Sequence, residues 1–457
     1  MSDAPEPGPA LQSPGAPSRE SPSLGAPPPG APAFLPPPLW ALLTLPFGLT
    51  VGFASIAVPF VLRSRGLPMT LIATVSQTAQ LPHVIKPFWS PLLDSGPRRR
   101  TWYFASVALA ALALAATALI PPIPDERIGP VPLLALYTAA LFVAQAAVAT
   151  SGSAVLALMA ITVPDAKRGA ASGWQTAGNL AGTALGGALI TWMLGHLSAS
   201  TTAAVIAVIC GLSALPAIFI DEIPPLRRRA ARLVADLLAQ VWRTLRSREG
   251  WTGMVICLSP VGAGALTNLF SALAKDYAPD DAGAEHLVVV VAGVFGGIVN
   301  MAGALLGGQL ADRMNRRLAY GVCGGLSALC AVAMLLAPAT PGAFTVGCLA
   351  YQFANGLCYA VFYAFVLELV GHRDGVTTQL ALYVGASNLA ASYVTWFDGF
   401  GYDRAKALAP RWASAGRAGM LGMDALTSIA GLAVLGAMTM FVRGRGEHRK
   451  DAKAPRV

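Results

Sequence analysis

Twelve apolar runs, each about as long as a bilayer is thick, constrain this chain more than any other feature. About 20 consecutive apolar residues are needed for one helix to cross the hydrocarbon core. Apolar residues make up 55% of the 457 positions and charged residues only 12%, whereas roughly 25% of a soluble domain is charged. So few charges could not cover the surface of a soluble fold of this size. We therefore expect an all-α integral membrane protein.

The runs fall into two groups of six, separated by a charged stretch. The first six predicted spans are 39–60, 71–93, 101–120, 132–160, 170–193 and 201–220. The second six are 251–274, 286–310, 318–338, 342–370, 376–397 and 420–442. This pattern predicts a first six-helix bundle over 39–220, a linker over 221–250 and a second six-helix bundle over 251–442.

Both ends of the chain have the composition of tails. Residues 1–38 contain thirteen prolines and no apolar run, so we expect a disordered cytoplasmic tail with no signal peptide. A proline-rich ligand for a partner domain is a weaker alternative. Residues 443–457 are basic and polar, and we expect them to lie against an anionic inner leaflet. The six cysteines all lie in apolar runs without a CxxC pair, which indicates neither a disulfide nor a metal site.

Lysine and arginine indicate the orientation. If the N-terminus is cytoplasmic, 23 of the 32 basic residues lie on the inside and 8 on the outside, half of these in one long loop after helix 11. Lys86 is the one left inside a span. By the positive-inside rule both termini are cytoplasmic. The Ala-, Gly- and Arg-rich composition suggests a GC-rich bacterium and therefore its cytoplasmic (inner) membrane.

The linker has the pattern of an amphipathic helix. Within Leu226–Arg248 five apolar residues share one face, and arginines fill much of the remainder. They are Leu226, Leu233, Leu237, Val241 and Leu245. Such a helix is typical of a segment lying on the inner membrane surface. Binding to a calmodulin-type partner or to DNA is a less favoured interpretation.

The two groups of helices repeat each other. Asp94 follows helix 2 and Asp312 follows helix 8, 218 residues apart, and both are followed by arginines. Gln145 in helix 4 and Gln352 in helix 10 are 207 apart, and an Asn-Leu-Ala segment recurs in helices 5 and 11, 209 apart. Three matches at consistent offsets indicate two six-helix pseudo-repeats.

Gly308–Arg317 resembles the signature that the major facilitator superfamily carries between two of its helices, with Asn315 in place of the second glycine. The first copy, from Lys86 through Asp94 to Trp102, resembles the muropeptide permease (AmpG-type) and acetyl-CoA transporter branch. Ser387-Asn388-Leu389 followed by Trp396 and Asp398 resembles that branch as well.

This resemblance implies a secondary active transporter that moves a small polar or amphiphilic solute by alternating access. A sugar-peptide or another anionic metabolite is the candidate solute, and a proton is a candidate coupling ion. The resemblance also implies a monomer, with the bilayer and the solute as partners and no cofactor. Muropeptide permeases carry a Tyr-Arg pair in helix 5 where this chain has Asn179-Leu180, which leaves the anionic sugar-peptide open.

Helix 5 contains regularly spaced glycines that admit two interpretations. The series Gly169, Gly178, Gly182, Gly186 and Gly187 follows the spacing of the superfamily's antiporter motif. Thr183, however, replaces the proline of that motif. Glycines every fourth residue also let a helix pack closely on a neighbour, and we favour this packing interpretation.

Polar side chains in a spanning helix normally face the bundle interior, and on this ground we predict a substrate pathway. Helix 2 contributes three residues at intervals of three, and helix 10 contributes a face of aromatic and amide side chains that also includes Tyr363. Such a face suits a polar ligand with a ring or apolar portion, although an aromatic stripe packed on a neighbouring helix is the alternative. The predicted pathway residues are Gln80, His83, Lys86, Gln145, Asn179, Tyr351, Gln352, Asn355, Tyr359 and Asn388.

A second set of residues is predicted to gate conformational change. A carboxylate at a helix end can bind nearby arginines and the positive N-terminal end of an apposed helix. This gating set is Asp94, Arg98, Arg99, Asp312, Arg313 and Arg316. The remaining acidic residues near predicted helix ends are Glu368, Asp398 and Asp424. We expect these three to be solvated or capping, with binding of a coupling proton by one of them as the alternative.

Other function classes are less favoured. A non-transporting membrane protein of the same fold, acting as an assembly factor or sensor, is the main alternative. The sequence contains no nucleophile elbow or paired catalytic carboxylates, and its five histidines are isolated from one another, so we do not expect an enzyme. Nucleic-acid binding is excluded despite the net charge of +9, because the chain is membrane-embedded.

Overall fold

The computed structural model describes residues 35–90, 93, 97–123, 126–128, 131–222, 230–278, 280–370 and 376–451. The predicted N-terminal tail, Asp94 and the beginning of the linker lie outside this part of the chain. The side chains of 376–378 and 441–451 also lie outside it.

The first half contains six helices. Helices α1 to α4 are Pro37–Ser64, Met69–Ile85, Arg99–Leu119 and Leu133–Thr162. Helix α5 comprises Asp165–Ala184, a π-helical segment Leu185–Leu189 and Ile190–His196, and α6 is Ala199–Phe219. A short antiparallel hairpin of β1 (Arg127–Ile128) and β2 (Val131–Pro132) precedes α4.

The linker and the second half follow. The linker helix α7 is Ala230–Arg246, and α8 is Arg248–Leu258. The seventh span then continues through a turn at Ala265–Asn268, the short α9 at Phe270–Leu273 and a turn at Ala274–Asp276. Helices α10 to α14 are Asp281–Arg313, Arg316–Leu336, Pro341–Val370, Val376–Leu408 and Ala415–Asp451.

Within the described residues, eight helices are long and apolar enough to cross a membrane by themselves. They are α1, α3, α4, α6, α10, α11, α12 and α14. The other four spans of the fold are α2, α5, the broken seventh span and α13, which are shorter, interrupted or more polar. The predicted fold class, twelve spans in two six-helix pseudo-repeats, is confirmed. We call the end that carries α7 the linker end and the opposite end the far end.

Helices α1 and α5 touch backbone to backbone through glycines. A Cβ on Gly48 would overlap the carbonyl oxygen of Asn179, and a Cβ on Gly178 would overlap that of Ala41. The same holds for Gly182 and Gly186. Close backbone approach replaces the hydrophobic effect as the source of attraction between helices in lipid. The packing interpretation of these glycines is therefore confirmed.

Helices α10 and α12 use the same device in the second half. A Cβ on Gly303 would overlap the carbonyl oxygen of Phe353, and a Cβ on Gly356 would overlap that of Asn300. Each half therefore contains one closely packed pair of helices. In the first half these are its first and fifth spans, and in the second half they are its second and fourth spans.

Helix α2 ends earlier than predicted. The predicted span ran to residue 93 with Lys86 inside it, but α2 ends at Ile85 and Lys86–Phe88 forms a 3₁₀ turn. Pro87 has no N–H to donate to the carbonyl of His83, four residues earlier, so the α-helical pattern stops there.

The end of the eleventh span was also predicted wrongly. Helix α13 continues to Leu408, and α14 already begins at Ala415, so the long charged loop placed after helix 11 is mostly helical. The prediction stopped at Asp398 because an apolar run ends there, whereas a helix continues as long as its backbone hydrogen bonds do. At about 1.5 Å per residue, this helix of 33 residues exceeds the thickness of the hydrocarbon core.

The linker is helical over Ala230–Arg246, as its pattern predicted. Leu237 is buried, Val241 is half-buried, and Leu245 is exposed. Leu238 and Trp242 are also exposed, so apolar surface remains on the outer side of this helix. The side chains of Leu226 and Leu233 lie outside the described part.

Two alanine substitutions in α5 test the close packing. Gly178→Ala places a methyl group against the backbone of α1, and we expect a loss of about 1–3 kcal/mol in stability from overpacking. Gly173→Ala is the matched control, because nothing lies within 4 Å of its Cβ and alanine favours helix by up to ~1 kcal/mol. Melting temperatures of the two purified variants give the comparison. Equal effects of the two changes would contradict the packing.

Candidate functional site

Gln145 lies at the centre of the first half and joins three helices. Its side chain is fully buried, and its Nε2 donates to the backbone oxygen of Thr50 on α1 at 3.1 Å. Its Oε1 lies 2.8 Å from Nε2 of His83 on α2. Since the amide oxygen can only accept, His83 donates through Nε2 in this arrangement. We call His83, Gln145 and Asn388 the central cluster.

Asn388 connects the central cluster to the second half. Its Nδ2 donates to the backbone oxygen of His83 at 3.4 Å. Pro87 is the residue that leaves this oxygen without its helical partner. The contact therefore satisfies a backbone group that would otherwise be unpaired inside the membrane. Helices α2 and α13 approach closely here, because Gly385 lies against the backbone of Val84.

The second half contains a counterpart of the His83–Gln145 pair. Asn300 on α10 donates from Nδ2 to Oε1 of Gln352 on α12 at 3.1 Å. Gln145 and Gln352 are 207 apart in sequence, and His83 and Asn300 are 217 apart. These offsets match those of the internal repeat. The predicted pathway omitted Asn300, although the offset that relates Asp94 to Asp312 points close to it.

Lys86 lies one turn beyond His83 towards the linker end. It is half-buried, and among the described residues its Nζ has neither a carboxylate partner nor a hydrogen-bond acceptor. Further along, Nε1 of Trp89 donates to Thr150 at 3.2 Å, and the hydroxyls of Ser90 and Ser153 lie 3.4 Å apart. These contacts continue the polar surface between α2 and α4. The sequence reasoning left these hydroxyl residues out, because single serines and threonines are common in any helix.

Three predicted residues of α12 share one face. Gln352 contacts α10, and Asn355 lies against Gly264, which has a left-handed φ of 64°. Tyr359 continues this face, is 58% exposed and donates to the hydroxyl of Tyr363 at 3.2 Å. The face therefore lies between α10 and the seventh span and becomes accessible at Tyr359.

The predicted place of Tyr351 in this face is wrong. Tyr351 is buried, and its hydroxyl donates to the carboxylate of Asp424 on α14, at 3.1 and 3.3 Å from the two oxygens. It lies at the edge of the arc that the helix 10 residues span, so its side chain turns towards α14 rather than towards α10.

Gln80 and Asn179 are not joined to the central cluster. Both side chains are half-buried, and neither has a hydrogen bond to another residue in the part of the chain that is described. The backbone of Asn179 serves the α1–α5 contact instead, and its carbonyl accepts from the hydroxyl of Thr183 at 3.0 Å.

An ionic contact joins the two halves at the far end. Arg63 at the end of α1 lies 3.1 Å from Asp276 of the seventh span and donates to the hydroxyl of Tyr402 on α13. Tyr402 in turn donates to Asp276 at 3.1 Å. We call these three residues the far-end contact. Sequence reasoning missed it because it assigned Tyr402 to a loop.

Asp403 strengthens the connection at the same end. Its carboxylate accepts from the backbone N–H groups of Met69 at 3.1 Å and Thr70 at 2.7 Å, and from the hydroxyl of Thr70. A carboxylate at a helix N-terminus binds the unpaired N–H groups and the positive end of the helix dipole. The beginning of α2 is therefore capped by a residue of the other half.

The predicted gating residues form different contacts from those expected. Arg99 pairs with Glu222 at 3.7 Å, and the carboxylate of Glu222 also accepts from the backbone N–H groups of Arg99 and Arg100. Arg98 is exposed, and Asp94 lies outside the described residues. Glu222 therefore provides the cap at the beginning of α3.

The contacts predicted for the second copy of the gating motif also differ from those observed. Arg316 pairs with Glu368 on α12 at 3.4 Å, not with Asp312. Asp312 and Arg313 are exposed, and within the described ranges neither forms an ion pair. Glu368 is exposed near the end of α12, as predicted.

A cavity of about 430 Å³ at the far end is a different feature. Arg65, Tyr137, Thr191 and Glu285 are among the residues that line it, and none of the predicted pathway residues does so. It lies mainly among helices of the first half, with Glu285 contributed by α10 of the second half, and we do not assign it to the pathway.

Comparisons with known proteins agree on one family. A family model described as the Major Facilitator Superfamily matches residues 33–395. No curated protein matches the chain.

Solved transporter structures cover most of the chain at low identity. A nucleoside transporter, NupG, aligns with a TM-score of 0.66 at 14% identity and covers 88% of this chain and 98% of its own. A D-xylose-proton symporter aligns at 0.62 and 16% identity, covering 87% and 96%. A bacterial homologue of the human lysosomal transporter Spinster, in an inward-facing conformation, aligns at 0.60 and 14%, covering 88% and 96%. At these identities the similarity shows the fold.

Loss of the far-end contact should separate the two halves at that end. Arg63→Gln removes a partly buried ion pair. We expect the closed state to lose about 1 kcal/mol of stability relative to the open state, which is roughly a fivefold rise in the open population. Spin labels at exposed Ala199 and Leu408 measure the distance between the halves, in a background without the six native cysteines.

The matched control is Asp281→Asn, which breaks the Lys275–Asp281 pair within the second half and leaves Lys275 in place over the ring of Phe60. It should leave the distance distribution unchanged. An unchanged distribution in Arg63→Gln would show that this contact does not hold the halves together.

Proposed function

The chain belongs to the major facilitator superfamily, and on that premise we propose that it is an ion-coupled secondary transporter for a small anionic, polar solute. The two halves would rock about a site at their interface, exposing it to one side of the membrane at a time. The single observation that carries this proposal is the set of polar contacts at the far end, where the Arg63–Asp276 pair and the Asp403 cap of α2 join residues of the two halves.

The kinds of contact within and between the halves support alternating access. Within each half, glycines bring helix backbones together, as in α1–α5 and α10–α12, and such packing resists deformation. At the far end the halves meet through the side chains of Arg63, Tyr402 and Asp403. Polar contacts of this kind can be exchanged for water at little net cost when that end opens.

The orientation of the chain follows from its basic residues. We propose that the linker end faces the cytoplasm, together with both termini, and that the far end faces outwards from a bacterial inner membrane. The basic loop after α2, the arginine-rich linker and the basic C-terminal tail all support this orientation. In this orientation the far-end contact closes the outward side.

Lys86 and the polar face of α12 support an anionic solute. A cation buried in a bundle needs a partner, and in the described chain Nζ of Lys86 has none. His83 in the first half and Asn355 and Tyr359 in the second offer hydrogen bonds and an aromatic surface. This combination suits a solute with an anionic group and a polar ring portion.

A sugar-peptide of the muropeptide type is the solute we propose to test first. The similarity of the segment around Lys86 to the AmpG-type branch supports it, whereas Asn179-Leu180 departs from that branch. Neither Asn179 nor Leu180 carries a charge, so these positions would contribute less to binding an anion than the Tyr-Arg pair of that branch.

Binding and uptake together test the proposal. Purified protein is first screened by thermal shift against muropeptides, acyl-CoA esters, sugars and peptides, because a bound ligand raises the melting temperature. The best ligand is then offered to proteoliposomes with and without an ion gradient. Gradient-dependent accumulation supports the proposal. Binding without any accumulation would favour the alternative, a sensor or assembly factor of the same fold.

Substitutions of Lys86 distinguish a role in binding the substrate from a structural role. Lys86→Gln should weaken binding of the anionic solute by about 1.5–3 kcal/mol, since a hydrogen bond to a charged group is lost. Lys86→Arg should keep part of the affinity because the charge remains. Affinity and melting temperature are measured on the same purified variants.

Lys406→Gln is the control for loss of one positive charge, since Lys406 is exposed on α13. It should bind as the original protein does. A Lys86→Gln protein that melts early but binds normally would make Lys86 structural, and one that is stable and transports fully would make it a bystander.

A further inference from the structure

Two carboxylates are buried together in the second half, where helix ends had been expected. Asp398 on α13 is 0% exposed, and Asp424 on α14 is 1% exposed. The prediction that both would be solvated or capping is therefore wrong. Each lies well inside its helix, ten residues before the end of α13 and nine after the start of α14.

The two carboxylates have different partners. Asp424 accepts the hydroxyl of Tyr351. Both oxygens of Asp398 are buried without any hydrogen-bond partner, and within the described residues neither aspartate forms an ion pair. Asp398 and Asp424 lie at nearly the same level of two neighbouring helices, because Gly401 of α13 lies against the backbone of Gly419 and the Cβ of Met423 on α14.

The other charged groups around α13 lie further away or are already engaged. Arg63 and Asp276 bind Tyr402, one turn along α13. Arg417, two turns before Asp424 on α14, donates to the backbone oxygen of Ala337 and lies over the ring of Tyr277. On α2, His83 and Lys86 lie near Asn388, about 15 Å along α13 from Asp398. The turn at Ala265–Asn268 contributes no titratable side chain.

This arrangement is unfavourable for two negative charges. Burying an ionised carboxylate without a counter-charge costs several kcal/mol, and burying a neutral carboxyl costs much less. Two carboxylates in one buried site repel each other when both are ionised, so such pairs retain a proton. Tyr351 can stabilise one carboxylate, namely Asp424, which leaves Asp398 as the group that carries the proton.

Helix α13 connects this pair to the far-end contact and to the central cluster. About 6 Å along the helix from Asp398, Tyr402 takes part in the far-end contact, and Asp403 caps α2. In the other direction Asn388 binds His83 of the central cluster. A displacement of α13 that opens the far end would therefore also change the surroundings of Asp398.

We propose that the Asp398–Asp424 pair binds the coupling proton and holds it while the far end is closed. This proposal rests on the proposed function as an ion-coupled transporter. When the far end opens and water reaches the pair, the O–H bond of Asp398 breaks, the proton passes to water, and the carboxylate remains hydrated. When the end closes, the carboxyl group takes up a proton again. No electron is transferred in either direction.

Infrared spectroscopy of the purified protein tests proton binding without needing a substrate. The original protein should show the carbonyl band of a buried protonated carboxyl near neutral pH, and the band should disappear on alkaline titration. Asp398→Asn should remove the band. Asp236→Asn, which removes an exposed carboxylate on the linker helix, should leave it in place.

Two infrared results would overturn the proposal. One is the absence of this band from the original protein, and the other is a band that survives in both Asp398→Asn and Asp424→Asn. Titrations in sodium-free buffer exclude a metal cation as the ligand. If sodium rather than pH governs the melting temperature, the pair binds a cation and not a proton.

Spin-label distances across the far end test the link to opening. With labels at Ala199 and Leu408, alkaline pH should shift the original protein towards the open population. The double variant Asp398→Asn/Asp424→Asn, which mimics the protonated pair, should stay closed at every pH. A pH-independent distance in the original protein would overturn the proposal.

These measurements separate the site from the function. A protein that accumulates its solute independently of pH but contains no protonated carboxyl would keep its proposed function and lose the proton site. A protein with the carboxyl band and pH-dependent opening, but without any transport, would keep the site and lose the proposed function.

Discussion

Every polar group in the hydrocarbon region needs a partner inside the protein, and much of this structure follows from that constraint. Pro87 leaves the carbonyl of His83 unpaired, and Asn388 from the other half supplies the missing donor. Gln145 uses both ends of its amide, one for Thr50 and one for His83. The polar residues that attract attention in the sequence are thus partly structural, and their partners determine how α2, α4 and α13 lie together.

The same constraint distinguishes the contacts that hold each half together from those that join the halves. Glycine contacts in α1–α5 and α10–α12 leave no polar group exposed and no room for water. The far-end contact of Arg63, Asp276 and Tyr402 is charged and only partly buried, so water can replace it. Opening therefore requires the loss of these polar contacts and the separation of α13 from α2, where Gly399 lies against the backbone of Met69, while the packing within each half is retained.

The two halves share a scaffold and differ in their charges. The pairs His83–Gln145 and Asn300–Gln352 occupy equivalent positions of the repeat. At the same offsets, however, Gly303 corresponds to Lys86, and Leu189 corresponds to Asp398. The buried cation belongs to the first half and the buried carboxylates to the second. We infer that the anionic group of the solute binds to the first half and the coupling ion to the second.

The sequence by itself determined that the chain is embedded in a membrane, and it determined the number of spans, the internal repeat and the family. These properties depend on composition and periodicity along the chain. It also identified the α5 glycines and the Gln145–Gln352 pair, since local spacing and repeat offsets carry that information. It could not identify the partners of Tyr351, Arg63 or Asp403, which are brought from distant helices. Nor could it place Asp398, because a carboxylate ends an apolar run in the sequence whether its helix then enters water or continues inside the protein. Only the packing of α13 against α12 and α14 decided between these cases, since burial is a property of neighbouring helices and not of the run itself.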